Sequence, residues 1–370
     1  MGLRAISDVE GETTLSYFGA TQMPISNADL QELAKVSLDE YLRNMPVDQI
    51  ATERPLLKKL MAGRKTFLGA KQNVVENIRK SYGSNFAWAY GEDAVGFNKR
   101  NTTEQAAFPW RRAVDGLYID YDRLYGNGIK VREGARGAFK LEQNEKVQLL
   151  NLLDEQMESL KEGFLQKLDL ELHRDGTQDA DAITGLDVLV STAPATGTVG
   201  GLDRATATYW RNYAKTGIST AVIGTLATEM ETAWRKCIKN GGSPDFILAG
   251  GKFIDAYRKE IVVTNNAQAG GVKTLDAGVG SGVNTGLYFK GVEIIWDPQF
   301  EELDALLSPT VQWEKRAYFI NTKFMKYRDD DMDIVTPTRP HDVLAMYAMV
   351  NLRCALSMSR ANAQAVLAIA

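Results

Sequence analysis

The stretch LEQNEKVQLLNLLDEQMESLKEGFLQKLDLELHR, residues 141–174, contains no proline and carries one apolar stripe from end to end. Leu150, Leu153, Met157, Leu160, Phe164 and Leu168 recur in steps of three and four, the period of one helix face. Leu149, Leu152, Leu165 and Leu172 widen that stripe, and Glu155, Glu158, Lys161, Glu162 and Asp169 are expected largely on the other side. About 34 residues at 1.5 Å each make a helix of roughly 50 Å, far longer than an average globular helix. Gly163 is its weak point, by about 1 kcal/mol against alanine. His173 and Arg174 suit the negative end of the helix dipole, and Gly176 can take the left-handed closing conformation. So long a rod with a single stripe needs an equally long neighbour.

Upstream of the rod, residues 1–25 show no periodicity and read as an arm or loose tail. A helix is expected from Asn27, ending before Pro46, and Pro55 suits the first turn of a short helix holding Leu56, Leu57 and Leu60. Lys58, Lys59, Arg64 and Lys65 make that segment basic, which is either a solvated face or a contact with an acidic partner. Asn73 to Asn127 reads as strands. Phe86, Trp88 and Tyr90 alternate with small residues, a charged tip with Glu92, Asp93, Lys99 and Arg100 follows, and Phe108 and Trp110 alternate again. The expected form is a long hairpin with five aromatics in one band. A two-stranded ribbon is marginal alone, so the band must fold back on its own domain or lie on another molecule.

Downstream, Asp181 to Thr206 is rich in small residues. A helix is expected from Ser219 or Thr220 with the stripe Val222, Leu226, Met230, Trp234, Cys237 and Ile238. Pro244 to Leu248 reads as a buried strand and Phe253, Tyr257 and Ile261 as one face of a third helix. Gly270 to Gly286 reads as a glycine-rich loop, and Leu287 to Ile295 and Tyr318 to Ile320 as strands. Leu352, Cys354, Leu356 and Met358 alternate as in a half-buried strand. The class is α+β.

Composition narrows the function. The 370 residues are 44% apolar and 24% charged, with a net charge of −4, which suits neither a nucleic-acid groove nor an anionic membrane surface. Two cysteines, Cys237 and Cys354, no apolar run near 18 residues and no signal-peptide pattern point to assembly in cytoplasm. With only His173 and His341, no multi-histidine metal site can form, and His173 reads as a helix-end cation. Gly278, Gly280 and Gly282 fail the dinucleotide spacing, and no Walker A or G-x-S-x-G element occurs. Asp329, Asp330, Asp331 and Asp333 resemble a D-D-x-x-D magnesium–diphosphate motif, but they lie between strand-like segments, where a solvated acidic turn is the plainer reading. No catalytic residue, cofactor or metal is expected.

Within this order of elements stand Gly185-Leu-Asp-Val-Leu-Val-Ser-Thr, Gly197-Thr-Val-Gly-Gly-Leu-Asp-Arg-Ala-Thr, Tyr209-Trp-Arg-Asn, Pro244-Asp-Phe-Ile-Leu-Ala-Gly and Asp255-Ala-Tyr-Arg-Lys, with Arg54-Pro-Leu-Leu upstream in an N-terminal arm. Order and motifs together resemble the major capsid proteins of tailed phages, the HK97 fold. The resemblance implies an arm at 1–70, an extended hairpin (E-loop) with its flanks at 71–135, a peripheral (P) domain at 136–182 and 320–370, and an axial (A) domain at 183–319. It implies hexamers and pentamers in an icosahedral shell around packaged double-stranded DNA, bound without sequence preference. A separate scaffolding protein, a portal and a decoration protein are the expected partners, no membrane is involved, and the location is the virion. The hairpin residues Phe86, Trp88, Tyr90, Glu92, Asp93, Lys99, Arg100, Phe108 and Trp110 would then contact a neighbouring subunit. Two other readings stay open: an encapsulin-like bacterial compartment, and a metal-dependent enzyme using Asp329 to Asp333.

Overall fold

A computed structural model describes residues 52–66, 72–94, 96–120, 122, 132–133, 139–140, 143–239, 241–267, 284–338 and 345–370. Thr52–Ala370 forms one compact unit. The expected helix from Asn27, the arm before residue 52, most of the glycine-rich loop and His341 lie outside the described residues.

The rod is present as a 31-residue helix, Gln143–His173, continuous through Gly163. Leu160, Phe164, Leu168 and Leu172 are buried along it, as the period requires, and its long neighbour is a pair of strands, Arg111–Asp120 and Ala345–Met358. These pair antiparallel over ten residues, from Ala345 opposite Asp120 to Cys354 opposite Arg111. Met325–Asp329 and Asp333–Thr338 share the opposite edge of Ala345–Met358, and Lys65–Thr66 adds a parallel strand beside Met325–Asp329. Ala348, Val350, Leu352, Cys354, Leu356 and Met358 are the buried face. Strict alternation fails at the end of the strand. Ala355 and Ser357 are buried as well, because a hairpin covers that end of the other face.

A six-stranded mixed sheet follows, in the order Asn284–Phe289, Val292–Trp296, Phe246–Ala249, Arg316–Ile320, Ala365–Ile369, Tyr213–Ile218. Its central strands are buried on both faces, and their alternation shares them between two cores. Phe246, Leu248, Tyr318 and Ile320 join the core that includes the long helix. Ile247, Ala249, Phe319 and Leu367 join a second core under the helices Thr225–Lys239 and Gly251–Ala267. The strand Ala365–Ile369 pairs with Arg316–Ile320 and Tyr213–Ile218, so residues 320–370 divide between the two sheets and are not one block.

Local chemistry accounts for the joints. Gly185 lies across the carbonyl end of the long helix, where a Cβ would fall 2.1 Å from the Arg174 carbonyl oxygen. Arg204 is buried, donates to the Val188 carbonyl at 2.9 Å and the Leu189 carbonyl at 2.6 Å, and so closes the short helix Leu186–Leu189. Burial lowers its guanidinium to about 10. Two boundaries differ from expectation. The helix predicted from Ser219 or Thr220 starts at Thr225, leaving Val222 exposed, as is Ile238 near its end. Residues 284–286, predicted as loop, begin a strand whose hairpin turns at Lys290–Gly291.

Asp169 corrects the sequence reading most sharply. Expected on the solvated side of the rod, it is completely buried, because its carboxylate serves a second element, the helix Pro55–Ala62. The basic run around that helix also meets acid groups of its own chain. Arg64 lies 3.1 Å from Asp329 and 3.3 Å from Asp331, and Lys59 lies 3.9 Å from Asp245.

Candidate functional site

The predicted long hairpin has two unlike halves. Its base pairs Asn73–Arg79 with Thr103–Pro109 in unbroken antiparallel register, Asn73 opposite Pro109 and Arg79 opposite Thr103. Beyond the bond from Lys80 N to the Thr102 carbonyl, 2.9 Å, the ladder stops and residues 81–102 form no strand among those described.

The base is bolted to the body. Glu76 accepts from Arg328 at 2.9 Å and from Ser357 at 3.2 Å. Glu104 accepts from Lys80 at 2.6 Å and from the Tyr209 hydroxyl, which hold its carboxyl below the usual range. Ala107 N donates to the Gly200 carbonyl, 2.9 Å. Gly200 itself has φ +61°, and a Cβ there would lie 2.8 Å from the Ala106 Cβ and 3.2 Å from the Phe108 ring.

The loop is the reverse. Tyr82 is 74% exposed, Phe86 75%, Trp88 91%, Tyr90 92% and Phe97 94%. Phe86 and Trp88 touch edge to face at 5.3 Å, so their rings share a side as the alternation requires. Local bonds shape the segment: Asn85 Nδ2 donates to the Gly96 carbonyl at 2.6 Å, and Tyr90 N donates to the Asp93 carboxylate at 2.9 Å. Arg79 lies 5.5 Å over the Tyr82 ring. Glu92, Lys99 and Arg100 are exposed on the same segment.

The predicted band of five aromatics is therefore split. Phe108 is in the main core and Trp110 is half-buried against it. Phe86, Trp88 and Tyr90 stand in solvent, joined by Tyr82 and Phe97, which the sequence reading passed over. Tyr82 and Phe97 had a signal, since both are aromatics set among small and polar residues on either side of the Phe86–Tyr90 pattern. What no sequence pattern separates is Phe108 from Phe86. Gly200, more than ninety residues later in the chain, makes the difference by admitting the Phe108 ring.

No protein-family model matches the sequence, and no curated protein matches it. Solved structures do. A chain of the cyanophage A-1(L) capsid asymmetric unit superposes with a TM-score of 0.62 at 14% identity, over 90% of this chain and 98% of that one. A chain from the capsid of Myoviridae phage XM1 gives 0.53 at 13% identity over 90% and 98%. A Gordonia phage Cozz chain gives 0.53 at 11% identity over 88% and 89%. The chain has the HK97-like α+β fold of phage capsid subunits.

Within this fold the other candidate groups resolve as follows. The aspartate cluster is no reversal of direction. Met325–Asp329 and Asp333–Thr338 run the same way along one edge of Ala345–Met358, and Asp330 to Met332 join them, with Asp331 at φ +51° and Met332 packed against the main core. Asp330, Asp331 and Asp333 are exposed, as an acidic surface segment should be, but Asp329 is buried. The Arg64 guanidinium takes the place beside Asp329 and Asp331 that a cation would need.

His173 is a helix-end group, as predicted, but a buried one. Its Nε2 lies 2.7 Å from Asp297 Oδ2 and its Nδ1 2.7 Å from the Asp169 carbonyl oxygen. Asp169, His173 and Asp297 offer donor atoms within 4.8 Å of one another. Both ring nitrogens are already committed to hydrogen bonds, so the group is an ionic network. The sequence held a signal for its first two members, because an Asp and a His four residues apart flank the Leu168–Leu172 edge of the apolar stripe. Asp297 had none.

Proposed function

We propose that this protein is the shell-forming subunit of a phage-type capsid, acting structurally and not as an enzyme. The observation that carries this reading is the match to capsid chains along nearly the whole of both chains. The exposed aromatic loop supports it. Each large ring left in water forgoes roughly 1.5 to 3 kcal/mol of burial, and five on one projecting segment call for a covering surface. A neighbouring copy of the same chain supplies one in any closed shell of repeated heterologous contacts.

In this reading 71–135 holds the extended loop and its flanks, the hairpin 73–109 being the loop and Arg111–Asp120 the flank that joins the five-stranded sheet, with Phe86, Trp88, Tyr90, Glu92, Asp93, Lys99 and Arg100 as contact residues and Phe108 and Trp110 as its internal anchor. The long helix and five-stranded sheet are the peripheral domain. The six-stranded sheet, including Ala365–Ile369, is the axial domain, which gathers round five- and six-fold axes. Hexamers and pentamers then enclose double-stranded DNA, held through sequence-blind contacts. A scaffolding protein sets curvature, a portal occupies one vertex, and assembly takes place in the host cytoplasm.

Sedimentation and electron microscopy of the purified chain, alone and with its neighbouring gene products, test the proposal. Closed heads, tubes or capsomers of five- and six-fold symmetry are expected. Small uniform shells filled with protein would favour an encapsulin-like compartment, and a strictly monomeric chain under all assembly conditions would overturn both.

A further inference from the structure

Three elements meet at one buried point beside the long helix. The helix Pro55–Ala62 starts without a cap of its own, since Arg54 at its N-cap makes no side-chain capping bond. Its Leu57 amide donates instead to Asp169 Oδ1 of the long helix, 3.2 Å away. An amide in a helix's first turn has no partner within the helix, and a carboxylate there also meets the positive end of the helix dipole. One turn further along, His173 takes up the network. Its Nδ1 faces a backbone carbonyl, which only accepts, so Nδ1 carries a proton. Its Nε2 faces the Asp297 carboxyl, so a second proton lies between those two atoms, and because Asp297 and Asp169 raise His173 that proton sits on the ring, an imidazolium held by a carboxylate. Asp297 Oδ1 is engaged in turn by the Gln299 amide at 3.0 Å.

Asp169, His173 and Asp297 are each 0% exposed. The charged groups acting on the imidazolium are Asp169 from its own helix and Asp297 from the segment after Val292–Trp296. Arg54, from the N-terminal segment, acts on Asp169. The remaining neighbours given by the structure are rings, Phe300 at 5.6 Å and Trp313 at 6.3 Å. Asp169 Oδ2 is buried and has no hydrogen-bond partner among the described residues. The carboxylate that caps the first helix therefore depends on the His173 charge for compensation.

We propose that Asp169, His173 and Asp297 form a proton-dependent latch, which clamps residues 52–62 against the C-terminal half of the long helix and loosens as pH rises. Loss of the imidazolium proton leaves two carboxylates in one dry site with no cation between them. The titration of both groups has the matching sign. Burial opposes the imidazolium, but Asp297 and Asp169 outweigh it and raise His173 to about 9. Burial raises Asp169 to about 6, against the pull of His173. Once opened to water, each group returns to its ordinary value. A histidine whose closed-state value is raised favours closure fully below about pH 6.5, and that contribution is lost as pH rises through about 9. Asp169 acts in the same direction at lower pH, since its closed form is favoured while it is protonated. With one proton released on opening, the opening equilibrium rises about tenfold per pH unit between pH 6.5 and 9.

Hydrogen exchange on the unassembled full-length chain tests the latch without reference to shell formation, so it can fail while the capsid reading stands. Protection of the peptide spanning residues 55–62 is measured from pH 6.5 to 9 and corrected for intrinsic exchange. The strand Arg316–Ile320 serves as the monitor of global unfolding. Expected is a fall of about tenfold per pH unit at 55–62 with the strand unchanged, and a His173 ring still protonated at pH 8 by NMR. His173→Gln should give protection at 55–62 below the wild type at pH 6.5, without the steady tenfold fall per unit up to pH 9, since only Asp169 is left to titrate. Where that variant fails to fold, Asp169→Asn keeps an oxygen acceptor for Leu57, removes one carboxylate, and should move the fall to lower pH. Flat protection at 55–62 in the wild type, parallel loss in the strand, or a His173 that titrates below 6.5 would each overturn the proposal.

Discussion

The base of the hairpin, 73–80 with 102–109, and the loop it carries, 81–101, have the same kind of aromatic alternation and opposite fates. Phe108 lies in the core against Gly200, while Trp88, on the same hairpin, is almost wholly in solvent. Propensity does not separate them, because both sit among small residues in the sequence. The difference is the second layer. Gly200, Tyr209, Arg328 and Ser357 supply one for the base. Within the described subunit nothing supplies one for the loop. The loop is thus an exposed aromatic segment carried on a well-fastened base, and the two halves should respond to mutation through different observables.

The largest contrast is between the two rings. Phe108→Ala should destabilise the unassembled subunit by about 3 to 5 kcal/mol, through lost burial and a cavity that the paired strands cannot close. Trp88→Ala should stay within about 0.5 kcal/mol in the same thermal unfolding experiment, yet lower shell yield by sedimentation. If Trp88→Ala unfolds the subunit as Phe108→Ala does, the loop packs on its own body and the comparison collapses. Trp110→Ala belongs with Phe108, since its ring packs half-buried against the same core.

Gly200→Val tests the fastening from the other side. The new Cβ would meet Ala106 and Phe108 at a positive φ, and a β-branched residue there should cost about 1 to 3 kcal/mol. Gly91, also at positive φ but with open space around it, should show only the backbone part of that cost when changed to alanine. Equal losses at the two sites, measured by denaturant midpoint, would mean that close packing at Gly200 contributes nothing.

A smaller effect is expected at Glu104, whose carboxyl is held low by Lys80 and Tyr209. A depressed carboxyl contributes stability that is present above its ordinary value near 4.5 and is lost as pH falls through the folded value. Glu104→Gln should cost about 1 kcal/mol at pH 7 and nothing at strongly acid pH, as read from unfolding midpoints. A cost independent of pH would show that the side chain matters only for packing.

The weakest effects belong to the loop charges. Reversing Glu92 and Asp93, or Lys99 and Arg100, should change subunit stability by well under about 1 kcal/mol, as for other exposed charges. The same changes should alter the salt dependence of assembly, because the contacts between subunits proposed at these positions would be screened over about 8 Å at physiological ionic strength. Assembly that keeps the wild-type salt profile would remove these four residues from the contact.

Much of this molecule is local, and what is local was readable. The rod at 143–173, the short helix opened by Pro55, the Leu226–Met230–Trp234 stripe and the buried edge from Leu352 to Met358 all follow from period, proline and glycine placement. Side chains three or four residues apart on a helix share a face whatever else the chain does. The sequence by itself therefore determined these elements, the class and the resemblance of their order, though not the absence of a strand at 86–90. Tertiary structure decided where nonlocal partners fall. It placed Ala365–Ile369 in the six-stranded sheet, turned Asp169 inwards to cap a helix that begins at Pro55, and brought Asp297 to His173 across 124 residues. It also covered Phe108 and left Trp88 bare. Strand pairing and buried charge depend on groups far apart in sequence, whose meeting carries no periodic mark, so only the folded chain could reveal them.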